Sequence, residues 1–126
     1  MTLNLQCITV DARDPQSLAE FWAQALGWHI GEGVNEIEVW IERELGDPGK
    51  SGFPDILFLK NSDEKVGKNR LHLDLRPDDQ EAEVARLEKL GAKRIDIGQL
   101  NSDECTWVVM ADPEGNEFCV LRKLAL

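Results

Sequence analysis

The chain has 126 residues, a length that predicts a single domain able to fold without disulfides or a structural metal. Its formal net charge of -10 argues against DNA, RNA or an anionic membrane as a partner, because phosphates attract basic surfaces, and it mildly favours a neutral or cationic small ligand. No apolar run approaches the ~20 residues of a membrane span, and the first residues lack a signal-peptide pattern. Three cysteines without a closely spaced pair predict reduced thiols in the cytoplasm.

The first half of the chain predicts a strand, a helix and three further strands. Residues 3–11 alternate between apolar and polar side chains, which is typical of a half-buried strand. Asp14 and Pro15 then begin a helix as its N-cap and first residue, and Gly27 ends it. One apolar stripe on this helix is formed by Leu18, Phe21, Trp22, Ala25 and Leu26. Further strands are predicted at 28–30, 36–42 and 56–59.

The second half repeats this order of elements. Its first segment, 69–76, alternates strictly, which predicts a strand with one apolar and one charged face. The apolar face, predicted to lie in the core, is Leu71, Leu73 and Leu75, and the charged row is Arg70, His72, Asp74 and Arg76. A helix follows from about 78 to Gly91, with Val84, Leu87 and Leu90 as its apolar seam. Strands are predicted at 93–97, 106–111 and 117–121, the last two joined by a tight turn at 112–115.

The two halves can be matched residue by residue. The Leu-Gly pairs that end the helices, at 26–27 and 90–91, lie 64 positions apart. On the first strand of each half, the apolar faces coincide only at an offset of 65, because a one-residue slip turns every side chain to the other face. His72 therefore matches Cys7, and both are predicted to point into the same space from two modules.

Four segments, in order along nearly the whole chain, carry a resemblance to a known family. They are the helix segment 14–27 with its Asp-Pro, Phe-Trp and Leu-Gly pairs, the strand KNRLHLDL at 68–75, Leu-Gly-Ala at 90–92, and DPEGNEFCVL at 112–121. Together they resemble the vicinal oxygen chelate superfamily and, within it, the small glyoxalase-like proteins. The resemblance implies an α+β fold in which 1–126 is a single domain of two tandem βαβββ modules, about 3–60 and 69–123. Their open sheets would form a cup, with the helices packed outside, and the resemblance also implies a homodimer.

The resemblance further implies where a divalent metal would bind. Metal-using members take one ligand from the first strand and one from the last strand of each module. The first-strand positions fall on Cys7 and His72. One last-strand position falls on Cys119, and the other falls near Leu57 or Leu59, which cannot bind metal. We expect no tightly bound metal, because the carboxylate of the metal-using relatives is missing from this set. If a divalent metal does bind, the implied ligands are His72, Cys7 and Cys119.

Strand parity also predicts the residues that line the cup. We expect one concave face to carry His72, Cys7 and Cys119, with Glu117, Trp40 and Trp107 near its rim. His72 is the candidate catalytic acid or base, since imidazole titrates at about 6.5, and the alternative is a strand histidine that bonds a charged neighbour. Cys7 and Cys119 are either soft ligands or small apolar wall residues. A tryptophan beside carboxylates favours a cationic or aromatic ligand, although a surface or dimer-interface position would explain Trp40 equally well.

These features support functions from different classes. The first is a glyoxalase-like lyase, isomerase or dioxygenase that uses a divalent metal as a Lewis acid, supported by His72 and the fold. The second is a metal-free protein of the bleomycin-resistance type that sequesters a small organic molecule, supported by the acidic charge, the tryptophans and the lost ligands. The third is a dimer with an empty cup. The sequence therefore predicts a small-molecule ligand and leaves enzyme and binding protein open.

Overall fold

The computed structural model of the chain describes residues 3, 5–46, 53–95 and 106–124, which fall into two compact units, Met1–Glu64 and Lys65–Leu126. The first unit contains β1 (Cys7–Ala12), α1 (Pro15–Leu26), β2 (His29–Ile30), β3 (Glu38–Glu42) and β4 (Asp55–Lys60). The second contains β5 (Asp74–Leu75), α2 (Gln80–Leu90), β6 (Lys93–Arg94), β7 (Val108–Ala111) and β8 (Glu117–Val120). Both follow the predicted order of strand, helix and three strands.

Each unit builds one open four-stranded sheet with the same topology. The strand order is β1-β4-β3-β2 in the first unit and β5-β8-β7-β6 in the second. In both sheets the first strand of the unit runs parallel to its last strand, and the remaining neighbours are antiparallel. This confirms the α+β fold of two βαβββ modules. The single domain spanning 1–126 stays a prediction.

The first helix begins and ends where its sequence signals predict. The Asp14 carboxylate accepts hydrogen bonds from the backbone N–H of Ser17 at 3.1 Å and from its hydroxyl at 2.9 Å, and these bonds lower the pKa of Asp14. Gly27 ends the helix with a left-handed φ of 70°. Within the apolar stripe, Leu18, Phe21 and Trp22 are buried, as predicted, and Leu26 is half-buried. No helix in the described parts of the chain is long and apolar enough to span a membrane.

Each helix packs on one face of its own sheet. Helix α1 lies against β3 and β4, whose buried residues on that face are Val39, Ile41, Ile56 and Phe58. Helix α2 contacts β6 and β8, and its buried Val84 and Leu87 face a core that includes Met110, Phe118 and Val120. Because successive side chains of a strand alternate between faces, the intervening residues of β5, β7 and β8 project from the opposite face of the second sheet.

The strand predicted at 69–76 is shorter in the structure, where β5 is only Asp74–Leu75. The pairing of Asp74 with Cys119 would place 69–71 opposite 114–116, which belong to the turn between β7 and β8 and offer no strand partner. Leu71 is accordingly 71% exposed, so its predicted place in the core is wrong, whereas Leu73 and Leu75 are half-buried. His72 lies just before the strand.

Other strand limits also follow the partner strand. β1 was predicted from residue 3 but begins at Cys7, opposite Asp55, where β4 begins, and Leu3 and Leu5 are exposed. Similarly, β3 begins at Glu38 and leaves Ile37 exposed. Of the strand predicted at 93–97, the structure has Lys93–Arg94, and 96–97 lie outside the described residues, as does Cys105.

The acidic turn between β7 and β8 has the structural role that its sequence predicts. The buried Asp112 carboxylate accepts hydrogen bonds from the backbone N–H groups of Glu114 and Asn116, both at 2.9 Å. Gly115 takes a φ of 89°, a conformation that glycine adopts without strain. Asp112 therefore holds the hairpin that sets the start of β8.

Candidate functional site

The face of the second sheet opposite α2 borders a cavity of about 390 Å³. Pairing places Asp74 beside Cys119 and Cys119 beside Val109, so the three strands present one continuous surface. The cavity is lined by Lys68, His72, Asp74, Trp107, Val109, Glu117, Cys119 and Leu121. His72 and Cys119 both line this cavity, in agreement with the strand parity of the sequence, and Trp107 and Glu117 border it as well. That this face binds a ligand stays a prediction.

Three side chains on this face form a compact polar cluster. His72, Asp74 and Cys119 each offer one ligand atom, and these atoms lie within 4.8 Å of one another. The imidazole Nδ1 of His72 is 3.4 Å from Oδ1 of Asp74. Cys119 is only 8% exposed, whereas the His72 and Asp74 side chains are 41% and 53% exposed. The cluster therefore runs from a buried thiol in the cavity wall to a carboxylate at the solvent.

This cluster fits the ligand preferences of a divalent transition metal. Zinc accepts thiolate, imidazole and carboxylate ligands, and three protein ligands with one open position are typical of catalytic zinc sites. The expectation of no bound metal depended on a missing carboxylate, and Asp74 supplies one beside His72 and Cys119. Asp74 follows His72 by two residues, so strand alternation places both on one face, but the sequence does not show that Cys119 lies beside Asp74.

Glu117 borders the cavity, but its carboxylate is held by the chain itself. Its Oε1 accepts a hydrogen bond from Nζ of Lys65 at 2.8 Å, and its Oε2 accepts one from the backbone N–H of Asn69 at 2.9 Å. Burial of the carboxyl group acts to raise the pKa of Glu117, but the hydrogen bonds from Lys65 and Asn69 outweigh it and lower the pKa. Glu117 is therefore an ionised group that ties the segment before His72 to β8.

The two remaining predicted site residues, Cys7 and Trp40, belong to the first unit. The Cys7 thiol lies 3.7 Å from the hydroxyl of Thr9. The indole of Trp40 packs on Gly31, where an added Cβ would lie 1.9 Å from Nε1, and Nε1 donates to Oε1 of the buried Glu42 at 3.1 Å. Trp40 is thus fixed by its own sheet, and the place of both residues at a ligand site stays a prediction.

Comparison with known proteins identifies the family. The family model described as a glyoxalase-like domain matches residues 7–121. A glyoxalase/bleomycin resistance protein/dioxygenase family enzyme from Burkholderia phytofirmans PsJN has a TM-score of 0.72 and 21% identity, with 97% of this chain and 100% of that chain covered. Fosfomycin resistance protein FosX from Mesorhizobium loti has a TM-score of 0.66 and 14% identity over 96% of this chain and 92% of its own.

A bleomycin resistance determinant encoded on the transposon Tn5 has a TM-score of 0.58 and 18% identity, with 98% of this chain and 100% of that chain covered. No curated protein matches the chain. At these identities the solved structures show a shared fold and nothing finer. The family model, however, matches most of the sequence, and the chain therefore belongs to the glyoxalase-like domain family.

Proposed function

We propose that the chain binds a small organic molecule in the cavity on the second sheet. The observation that carries this proposal is the cavity itself, whose volume of about 390 Å³ lies within the range of small-molecule sites, roughly 300–1,000 Å³. Its composition supports the same conclusion, because the lining combines apolar side chains with polar groups that can orient a ligand. The apolar side chains are Trp107, Val109 and Leu121, and the polar ones are Lys68, His72, Asp74 and Glu117.

The indole at the cavity and the overall charge of the chain favour a cationic or neutral aromatic ligand. The charged side chains of the lining do not add to this preference, because the Asp74 carboxylate is offset by the Lys68 ammonium and the Glu117 carboxylate is balanced by Lys65. Trp107, which is 40% exposed, offers an indole on which a flat ring can stack, and a cation above such a ring gains roughly 0.5–2 kcal/mol. The net charge of -10 adds a general attraction for cations.

The experiment is a titration with three compounds that differ mainly in charge. Benzamidine, benzamide and benzoate have nearly the same size and carry a positive, a zero and a negative charge. Isothermal titration of the full chain at neutral pH should give the highest affinity for benzamidine and the lowest for benzoate. Trp107→Ala should weaken benzamidine binding, whereas the matched control Trp28→Ala should not, because Trp28 is not among the residues that line the cavity.

Two results would contradict this proposal. If none of the three compounds binds at millimolar concentration, the cavity does not accept small aromatic molecules. If benzoate binds as tightly as benzamidine, the charge argument fails. The simplest protein that fits this proposal is a sequestering protein of the bleomycin-resistance type, because such a protein needs only to bind its ligand reversibly.

A second candidate function is a metal-dependent lyase, isomerase or dioxygenase of the glyoxalase-like type. The observation that favours it is the cluster of three ligand atoms within 4.8 Å. His72, Asp74 and Cys119 would hold a divalent metal, which would supply a Lewis acid to a ligand in the cavity. His72 or Asp74 would then be unable to act as a free base while coordinated.

Cobalt(II) provides a direct test of this candidate, because a thiolate ligand gives a sulfur-to-cobalt charge-transfer absorption. We expect this band to appear at one equivalent and to be lost in Cys119→Ser, with weaker binding in His72→Ala and Asp74→Ala. Cys7→Ser is the matched control and should keep the band. Loss of the band in Cys7→Ser would restore the ligand set implied by the family resemblance, and a missing band in the native chain would reject the candidate.

We also propose that the chain forms a homodimer and works in the cytoplasm, as the family resemblance and the cysteine pattern imply. Sedimentation velocity at micromolar concentration tests the first point. A monomer alone would remove any case for a ligand site shared between subunits, but it would leave the cavity of the second unit unaffected.

A further inference from the structure

We propose that Gln80 is a positioning residue that fixes the aromatic wall of the cavity and thereby sets the preference of the cavity for flat rings. The inference rests on the proposed function, because a preference among ligands requires that the cavity binds one. Gln80 does not line the cavity itself. The observation that carries the inference is a pair of hydrogen bonds, which Nε2 of Gln80 donates to the backbone carbonyl of Thr106 at 2.9 Å and to that of Val120 at 3.0 Å.

The first hydrogen bond holds the backbone that leads into Trp107. The carbonyl of Thr106 belongs to the planar peptide unit that precedes Trp107, so a bond to its oxygen restricts the orientation of that unit. On the other side of Trp107, β7 begins at Val108. The backbone of Trp107 is thus held from both sides, which sets the direction of the Cα–Cβ bond from which the indole reaches the cavity.

The second hydrogen bond acts on another apolar residue of the cavity in the same way. The carbonyl of Val120 belongs to the peptide unit that precedes Leu121, which also lines the cavity. The register of β7 and β8 ends with Val108 opposite Val120, so Trp107 and Leu121 lie just beyond the last pair. Gln80 therefore bridges the two strands at the point where their own pairing ends.

The bridge depends on the two N–H groups of the Gln80 amide. Both partners are carbonyl oxygens, which only accept, so each can take one of the two hydrogens on Nε2. Gln80 is the first residue of α2, and the Asp79 carboxylate caps this helix by accepting from the N–H of Ala82 at 3.1 Å. The helix terminus thus places the backbone from which the amide reaches the two strands.

Gln80→Glu separates the bridge from the helix. A glutamate at this position has nearly the same shape, but it presents carboxylate oxygens to two carbonyl oxygens and cannot hold them. Its negative charge is favourable in the first turn of a helix, so α2 is not weakened. The same charge would by itself strengthen the binding of a cation, and weaker binding of a cation in this variant therefore cannot be a charge effect.

The first measurement needs no ligand. In a ¹H–¹⁵N correlation spectrum of the full chain, the indole N–H resonance of Trp107 should shift or broaden in both Gln80→Ala and Gln80→Glu. The indole of Trp22, which packs against Phe21, is the internal reference and should keep its resonance. An unchanged Trp107 resonance in both variants would overturn the proposal.

The second measurement compares benzamidine with cyclohexanecarboxamidine, which carries the same charge on a ring that is not flat. In isothermal titration, the native chain should bind benzamidine more tightly, because a flat ring stacks on the indole. Both Gln80 variants should weaken benzamidine binding roughly three- to tenfold, the range expected for the loss of neutral hydrogen bonds, and should bring the two compounds to within about twofold of each other.

Gln16→Ala is the matched control. Gln16 also lies in the first turn of a helix, and its Nε2 donates to Oε1 of Glu20 at 2.9 Å. This variant should keep the Trp107 resonance and the preference for benzamidine.

The outcomes distinguish this inference from the proposed function. If the native chain binds benzamidine and the Gln80 variants keep its preference for the flat ring, only the role of Gln80 fails. Equal losses for both amidines would mean that the variants damage the cavity as a whole, and would also overturn that role. If the native chain binds neither amidine, the proposed function fails together with the ring preference, and the Trp107 resonance alone decides whether Gln80 anchors the indole.

Discussion

Replacing Glu117 tests how the segment that leads to His72 is held. Glu117→Ala removes the acceptor for the Lys65 ammonium and for the Asn69 N–H, and the native contacts are 2.8 and 2.9 Å. The Lys65 and Glu117 side chains are only 21% and 11% exposed, so water replaces the lost bonds poorly. Hydrogen bonds to charged groups contribute about 1.5–3 kcal/mol each, and the desolvation of the carboxylate offsets part of this.

We therefore expect Glu117→Ala to lower the free energy of unfolding in urea by about 3 kcal/mol, and Glu117→Gln, which keeps an oxygen for Asn69, by about half as much. Glu64→Ala is the control. Glu64 forms a salt bridge with Arg13, but the Arg13 and Glu64 side chains are 59% and 76% exposed, so this salt bridge should contribute at most about 1 kcal/mol to stability. Equal losses in Glu117→Ala and Glu64→Ala would refute the reasoning.

The pH dependence of stability has a definite sign. The pKa of Glu117 is lower in the folded chain than its ordinary value. The ionised Glu117 therefore contributes fully to the free energy of unfolding above the pKa it has in the unfolded chain, and this contribution is lost as the pH falls through its pKa in the folded chain. The difference in unfolding free energy between the native chain and Glu117→Gln should therefore be constant at neutral pH and shrink in acid. A difference that grows in acid would contradict the assignment of Glu117 as an ionised group.

Three further outcomes are expected. Trp22→Ala should lower the free energy of unfolding by about 3–5 kcal/mol in urea titration, because the residue is 4% exposed and its ring packs edge-on against Phe21, with the ring centroids 5.2 Å apart. A loss below about 1 kcal/mol would contradict its burial. Gly31→Ala should displace the Trp40 indole, since the new Cβ would lie 1.9 Å from Nε1, and should destabilise the chain by about 1–3 kcal/mol with a change in tryptophan fluorescence; an unchanged spectrum would count against the packing. Asp14→Ala should cost about 1 kcal/mol by removing the helix cap, which Asp14→Ser should largely restore.

The helices were predictable from sequence because their signals are local. Asp14 and Gly27 act on bonds within one helical turn, and the stripe that buries Trp22 depends only on the helical repeat. Strand limits depend on a partner that is distant in sequence. β5 is limited to two residues by the turn that precedes β8, and no pattern within 69–76 could reveal this.

The candidate site was partly predictable for the same reason. Parity alone placed His72 and Cys119 on one face of their strands. Parity could not show that Asp74 lies beside Cys119. That depends on the register between β5 and β8, in which Asp74 pairs with a residue 45 positions further along the chain. The partners of Glu117 lie 52 and 48 residues away, so its role in holding the chain could be found only from the structure.

The most direct test of the account follows where benzamidine binds. In a ¹H–¹⁵N correlation spectrum of the full chain, the account predicts saturable shifts of the Trp107 indole N–H and of the amides of Val109 and Cys119, which share the cavity face. Benzoate at the same concentration should leave these resonances nearly unchanged. Shifts confined to residues that do not line the cavity, or identical shifts with benzoate, would contradict the claim that this cavity binds a cationic or neutral aromatic molecule.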